Sequence, residues 1–245
     1  MEVKFKVFRF NPETDEAPRY DVFTVSADVN DRIVDCLNKI RWEQDSSLAY
    51  RMSCAHGICG SDGMTINGSP ALACQKLVKD YDATQEIVVE PLMFFPVVKD
   101  LVVDMEPFFE RVNAVSPHGS KAVPVSGDRE NMQTPEERSL FDDAVKCILC
   151  ACCVAACPVM LKEDPNFIGP AAVLRAQRHI FDSRVTDTEE RMQILEEPHG
   201  IWSCKSYYRC TQVCPKRIKV TEAILKTKKK ILEQLHTKKE QETDR

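Results

Sequence analysis

The sequence predicts an α+β chain in two parts, the first rich in strands and the second helical. Three observations predict it. Alternating apolar and charged residues dominate the N-terminal part, and apolar residues at helical spacing dominate the C-terminal part. Between them, 113–128 carries Ser116-Pro117-His118-Gly119 and Pro124 with little periodicity, and reads as a linker or surface loop. The 245 residues are enough for two modest domains, each with its own core.

Met1–Phe10 alternates, with Val3, Phe5 and Val7 on one face and Lys4 and Lys6 on the other. That is the pattern of a half-buried strand. Turn residues at Asn11-Pro12 and Ala17-Pro18 lead to a second alternating run, Tyr20–Val25, so the two make a hairpin with a long loop. Asp28–Ser47 reads as one helix with Ile33, Leu37 and Ile40 on a stripe. A cysteine-bearing loop follows, then short strands at Met64–Ile66 and Glu86–Glu90, with a strong turn signal at Asn67-Gly68. In the second part, Thr134-Pro135-Glu136-Glu137 reads as a capping box with proline at the first helical position. Helices are expected over Pro170–Ser183, from a capped start at Asp187, and over Thr221–His236. The last places Ile224, Lys228, Ile231, Leu232 and Leu235 at helical spacing.

The net charge of −5 gives no support to a nucleic-acid partner. No apolar run reaches the roughly 18–20 residues of a membrane span. The most apolar stretch, 91–98, is broken by Pro96, and the N-terminus lacks the apolar core of a signal peptide. The chain is expected to be soluble by itself and to stay where it is made.

Twelve cysteines are the outstanding feature of this composition. Disulfides, zinc and iron–sulfur clusters compete to explain them. Without a secretory signal a reducing compartment disfavours disulfides. Zinc takes sets of four ligands, usually in short-spaced pairs, and the spacings here fit clusters better.

Cys54 and Cys59 are followed by Asp62 and later by Cys74. A plant-type [2Fe–2S] site uses C-x4-C-x2-C and a distant fourth cysteine, so three places are filled and Asp62 stands at the remaining one. Gly57, Gly60 and Gly63 let the loop fold tightly and bring amides toward sulfur. Asp62 is either a ligand or part of an Asp-Gly turn, with Ser61 or water completing the site. A Rieske arrangement built on His56 lacks its second histidine after Cys74, which makes His56 an exposed loop residue.

Cys147, Cys150, Cys153 and Cys157-Pro158 form the bacterial C-x2-C-x2-C-x3-C-P run, whose fourth cysteine binds the other cluster of a pair. A matching run, Cys204, Tyr207, Cys210 and Cys214-Pro215, has tyrosine at its second place. Crossed ligation then puts Cys147, Cys150, Cys153 and Cys214 around a [4Fe–4S] cluster. It leaves Cys157, Cys204 and Cys210 for a [3Fe–4S] cluster, because tyrosine is a poor ligand for soft metal sites. Cys36 and Cys152 remain over, and packing is the simplest role for both.

These motifs, SCAHGICGSDG, LACQ, CILCACCVAACP, FIGPAAVLRAQR and VCPK, resemble those of the iron–sulfur subunit of the succinate dehydrogenase/fumarate reductase family over nearly the whole chain. Some family members share the aspartate at the Asp62 place. The resemblance implies a plant-type ferredoxin β-grasp domain over 1–105 and an all-α bacterial-type ferredoxin domain over 106–245. It implies a flavoprotein partner holding FAD, and membrane-anchor subunits carrying quinone and, where present, haem b. The subunit would lie peripherally on the cytoplasmic face of the inner membrane. The relay would run flavin, [2Fe–2S], [4Fe–4S], [3Fe–4S], quinone, or the reverse, with no dicarboxylate site on this chain. Many members have a tryptophan soon after the Cys-Pro of the first run; here Val159-Met160-Leu161-Lys162 follows. Lys205 stands where some have histidine, and Pro158, Lys162 and Lys205 are the implied quinone neighbours. The lysines at 226–230 and at 238–239 fit anionic headgroups and a solvated helix face equally well. The competing readings are a subunit of another dehydrogenase or reductase, a free diffusible ferredoxin, and a structural zinc protein.

Overall fold

The computed structural model describes residues 1–115, 121–124 and 130–243. The expected loop features at 116–119, and the side chains of Lys238 and Lys239, lie outside the described residues. The chain divides into two compact units. The first comprises Met1–Pro107 with Ile148–Ala156 and Val213–Lys216. The second comprises Phe108–Cys147, Cys157–Gln212 and Arg217–Arg245.

In the first unit, strands β1 (Glu2–Arg9) and β2 (Arg19–Ser26) form the expected hairpin, antiparallel from Glu2↔Ser26 to Arg9↔Arg19. Strands β3 (Gly63–Ile66), β4 (Ser69–Leu72) and β5 (Ile87–Glu90) complete a mixed sheet in the order β2-β1-β5-β3-β4. The alternation of β1 buries Val3, Phe5 and Val7 completely, and Ile33, Leu37 and Ile40 are equally buried. β2 is an edge strand, and Tyr20 and Val22 of its apolar set stay exposed. Two short strands, β6 (Val97–Lys99) and β7 (Val102–Val103), form a second ribbon.

The first helix begins later than its periodicity predicts. Helix α1 spans Ile33–Lys39 and continues as a π-turn over Ile40–Gln44. Asp28 and Asp31 hold the chain in a turn instead: Asn30 N–H donates to Asp28 Oδ1 at 2.9 Å and Asp28 N–H to Asp31 Oδ2 at 3.2 Å. Short acidic side chains compete with helical bonding in this way.

In chain order the remaining helices are α2 (Glu106–Ala114), α3 (Pro135–Ser139), α4 (Cys152–Ala155), α5 (Pro170–Ile180), α6 (Thr188–Glu196), α7 (Arg209–Gln212) and α8 (Val220–Thr243). α4 lies in the first unit. In the second unit α5 packs on α6 and α8. The capping box forms at α3, where Thr134 Oγ1 accepts from Glu137 N–H at 3.2 Å and Glu137 accepts from Thr134 N–H at 2.8 Å. Asp187 precedes α6 without capping it, because its carboxylate is taken by the buried Arg191 guanidinium at 2.8 Å. Among the described residues no helix is long and apolar enough to cross a membrane.

Candidate metal centres

The first cysteine loop is shaped to hold negative charge on sulfur. Cys54 Sγ accepts from the backbone N–H groups of His56, Ile58 and Cys59 at 3.5, 3.4 and 3.3 Å. These donors pull the Cys54 thiol down from about 9 to about 6. The loop turns through positive φ at Ala55, Gly57 and Gly60 to aim those amides. Cys74 is the opposite case, pushed up to about 12 by burial and by the neighbouring Asp62 carboxylate. Asp62 is only 2% exposed. Its Oδ2 accepts from Cys74 N–H at 2.6 Å, while its buried Oδ1 has no hydrogen-bond partner. An unpartnered carboxylate oxygen beside Cys74 is what a fourth anionic ligand would present, and the donor set of three cysteines and Asp62 fits a [2Fe–2S] cluster. His56 is exposed, as expected.

The two bacterial-type runs share one local conformation, position for position. Each is entered from a one-turn 3₁₀ helix, Ala144–Lys146 or Ile201–Ser203. Each first cysteine then donates its N–H back across that turn at 3.2 Å, Cys147 to Ala144 and Cys204 to Ile201. Positive φ follows two and four residues later, at Leu149 and Ala151 (55° and 62°) and at Ser206 and Tyr208 (58° and 66°). A one-turn helix comes next, α4 or α7, before the Cys-Pro step. Non-glycine residues rarely adopt that φ, so its recurrence at matching offsets identifies one motif used twice.

Within the first unit, Cys150, Cys153 and Cys214 surround the fully buried Cys152. The Cys152 thiol donates to Cys150, favouring the Cys150 thiolate, while that bond, burial and the neighbouring sulfurs hold Cys152 itself protonated. Cys152 is fully buried, in keeping with a packing role, and its thiol also lies beside that of Cys150. The same loop abuts the first cysteine loop. A Cβ on Gly60 would lie 2.9 Å from Cys150 Cβ and 3.0 Å from the Ile148 carbonyl oxygen, and one on Gly63 3.0 Å from the Cys150 carbonyl oxygen.

In the second unit, Cys157, Cys204 and Cys210 line one cavity together with Pro158, Phe167, Lys205 and Thr221. Burial raises the Cys157 and Cys210 thiols. Tyr207, at the place Cys150 holds in the first run, is half exposed, and its hydroxyl donates to Glu163 at 2.7 Å. That bond ties the phenol to a carboxylate; Tyr207 still lines the cavity, whose cysteines are Cys157, Cys204 and Cys210. Pro158 and Lys205 lie in its wall, whereas Lys162 is exposed and outside the lining. Two contributors carry no spacing signal. Lys228 of α8 donates to the Cys204 carbonyl at 2.8 Å, and Thr221 Oγ1 lies 3.4 Å from Cys210 Sγ.

Among the described residues no three His, Cys, Asp or Glu side chains converge closely enough for a single ion. A polynuclear cluster asks for ligands spread around a core instead.

A chain so built is a multi-cluster iron–sulfur protein. Residues 4–110 match the family described as 2Fe-2S iron-sulfur cluster binding domain, and residues 143–218 that described as 4Fe-4S dicluster domain. The succinate dehydrogenase iron-sulfur subunit of Coxiella burnetii is 39% identical over 94% of this chain and 97% of its own. The fumarate reductase iron-sulfur subunit of Escherichia coli is 39% identical over 91% of this chain and 90% of its own. A chain of the Mycobacterium smegmatis Sdh1 complex in the apo form superposes with a TM-score of 0.87 at 25% identity, covering 95% of this chain and 96% of that one. The chain belongs to the family of iron–sulfur subunits of succinate dehydrogenase and fumarate reductase.

Proposed function

We propose that the chain relays single electrons through three clusters between FAD in a flavoprotein subunit and quinone at membrane-anchor subunits, as part of a succinate:quinone oxidoreductase. Cys54, Cys59, Asp62 and Cys74 would hold [2Fe–2S]. Cys147, Cys150, Cys153 and Cys214 would hold [4Fe–4S], and Cys157, Cys204 and Cys210 [3Fe–4S]. Bound there, the clusters supply one-electron steps between two-electron partners.

The observation that carries this reading is the repeated run geometry, with Tyr207 bonded to Glu163 in place of a ligand. Crossed ligation needs two equivalent runs, and equivalent runs with one ligand missing leave three sulfurs for the last cluster. The close approach of the Gly60 loop to the Ile148–Cys152 loop supports direct transfer between the first two clusters.

The finer fold is a β-grasp ferredoxin domain over 1–105 and an all-α ferredoxin domain over 106–245, in keeping with described residues whose strands precede residue 104 and whose later part holds a single isolated β-bridge, Ala122↔Val185. Pro158 and Lys205, in the wall of the three-cysteine cavity, would be nearest quinone, with Lys162 further out. The complex would sit on the cytoplasmic face of the inner membrane, and any haem b would belong to the anchors. No part of the site calls for nucleic acid.

Purification of the tagged chain from detergent-solubilised native membranes tests the partners. Recovery of a flavin-bearing subunit and apolar anchor polypeptides in constant ratio is the expected result. A chain recovered alone with its clusters would instead be a diffusible carrier.

A further inference from the structure

Cys210 lies on α7 with its sulfur close to a buried hydroxyl. Thr221 is 1% exposed, and its Oγ1 is 3.4 Å from Cys210 Sγ. Thr221 stands in the first turn of α8, where backbone amides lack partners within the helix. Its N–H donates to Thr211 Oγ1 at 2.9 Å, and Thr211 Oγ1 donates in turn to Thr221 Oγ1 at 3.0 Å. A hydroxyl has one hydrogen to give. Thr221 Oγ1 already accepts from Thr211, so its own hydrogen is left for the sulfur. A thiolate has no proton to offer, so with Cys210 deprotonated the hydroxyl is the donor. Burial pushes the Cys210 thiol up, and the contact with Thr221 pulls it back down.

We propose that Thr211 and Thr221 form a directed hydroxyl relay that donates to Cys210 sulfur and raises the reduction potential of the three-cysteine cluster. The inference rests on the cluster assignment proposed above. Reduction adds one electron and no proton, and part of that charge falls on the sulfurs. A donor aimed at sulfur therefore stabilises the reduced form more than the oxidised one. Cys157 takes its hydrogen bonds from the amides of Val159 and Met160, which no side-chain substitution removes. Cys210 takes one bond from the Thr211 amide and another, from the Thr221 hydroxyl, that a side-chain substitution does remove. Thr221 is a positioning residue: it touches a ligand sulfur and neither substrate nor quinone.

The test is an EPR-monitored redox titration of the membrane-bound complex carrying Thr221→Val, Thr221→Ser or Thr211→Val. Thr221→Val keeps the shape and removes the hydroxyl. It is expected to lower the [3Fe–4S] midpoint by roughly a tenfold fall in the reduction equilibrium constant, about 59 mV for a one-electron couple. Thr221→Ser keeps the donor and should restore most of the midpoint. Thr211→Val removes the orienting donor and should give a smaller fall, which decides the matter if Thr221→Val fails to assemble. The [2Fe–2S] and [4Fe–4S] midpoints should stay in place. An unmoved [3Fe–4S] midpoint in Thr221→Val or Thr211→Val would overturn the relay, as would a Thr221→Ser shift equal to that of valine. Absence of any [3Fe–4S] signal in the unaltered complex would overturn the cluster assignment itself, and the relay with it.

Discussion

Alanine at Gly60 meets two separate obstacles, and the structure supplies a control for each. Gly60 has φ +70°, and its Cβ would stand 2.9 Å from Cys150 Cβ and 3.0 Å from the Ile148 carbonyl oxygen. The left-handed backbone costs a side chain about 1–2 kcal/mol, and forcing a methyl into a filled contact costs about 1–3 kcal/mol more. Together they give about 2–5 kcal/mol. Gly68 has φ +74° with nothing within 4 Å, so Gly68→Ala isolates the backbone cost. Gly63 has no positive φ but would place its Cβ 3.0 Å from the Cys150 carbonyl oxygen, so Gly63→Ala isolates the contact. At about 2–4 °C of melting temperature per kcal/mol, Gly60→Ala should lower Tm by roughly 4–20 °C. Gly68→Ala should lower it by roughly 2–8 °C. The assay is thermal bleaching of the visible absorbance of the cluster-loaded complex. Equal shifts for Gly60→Ala and Gly68→Ala would refute the packing of the first cysteine loop on Ile148–Cys152.

Four further outcomes follow from the cysteine loops. In the cluster-free chain, Cys54 should be the fastest cysteine of its loop to alkylate at neutral pH, with a rate profile centred near 6 that mass spectrometry can read residue by residue. Cys74, near 12, and Cys36, near 11, should stay silent. Because the folded Cys54 thiol titrates below its unfolded value, the stability it lends is complete above about 9 and is lost as pH falls through about 6. Asp62→Cys should keep a [2Fe–2S] EPR signal, whereas Asp62→Leu should lose it; retention in the leucine variant would remove Asp62 from the ligand set. Tyr207→Cys places a thiol where the first run has Cys150, so analysis should find one more iron per chain and the [3Fe–4S] signal of the oxidised protein should vanish. An unchanged signal would mean that the two runs are not equivalent in the folded protein.

Run spacing is a local property, which is why the two matching cysteine runs and the tyrosine at position 207 were legible in the sequence. The alternation of β1 and the box at Thr134 were legible for the same reason. What escaped depends on approach in three dimensions. The start of α1 was misjudged because the Asp28 and Asp31 side chains bond their own turn. Asp187 has the right residue type for a cap but serves Arg191. On α8 the expected stripe puts Leu232 and Leu235 inward, yet they are 46% and 36% exposed. The buried face runs instead through Thr221, Ile224, Thr227 and Ile231, and its two threonines read as polar from sequence alone. Thr227 can be buried because its hydroxyl donates to the Ala223 carbonyl at 2.8 Å. Thr221 is satisfied by Thr211, a partner set by how α7 meets α8 rather than by any spacing.

Low-temperature EPR on the complex gently purified from native membranes, before and after succinate, tests the central claim most directly. A [3Fe–4S] signal in the oxidised sample that fades with succinate, while a [2Fe–2S] signal appears, is the predicted result. Clusters that are present but indifferent to succinate would contradict the account, leaving the ferredoxin architecture in place with a different partner enzyme.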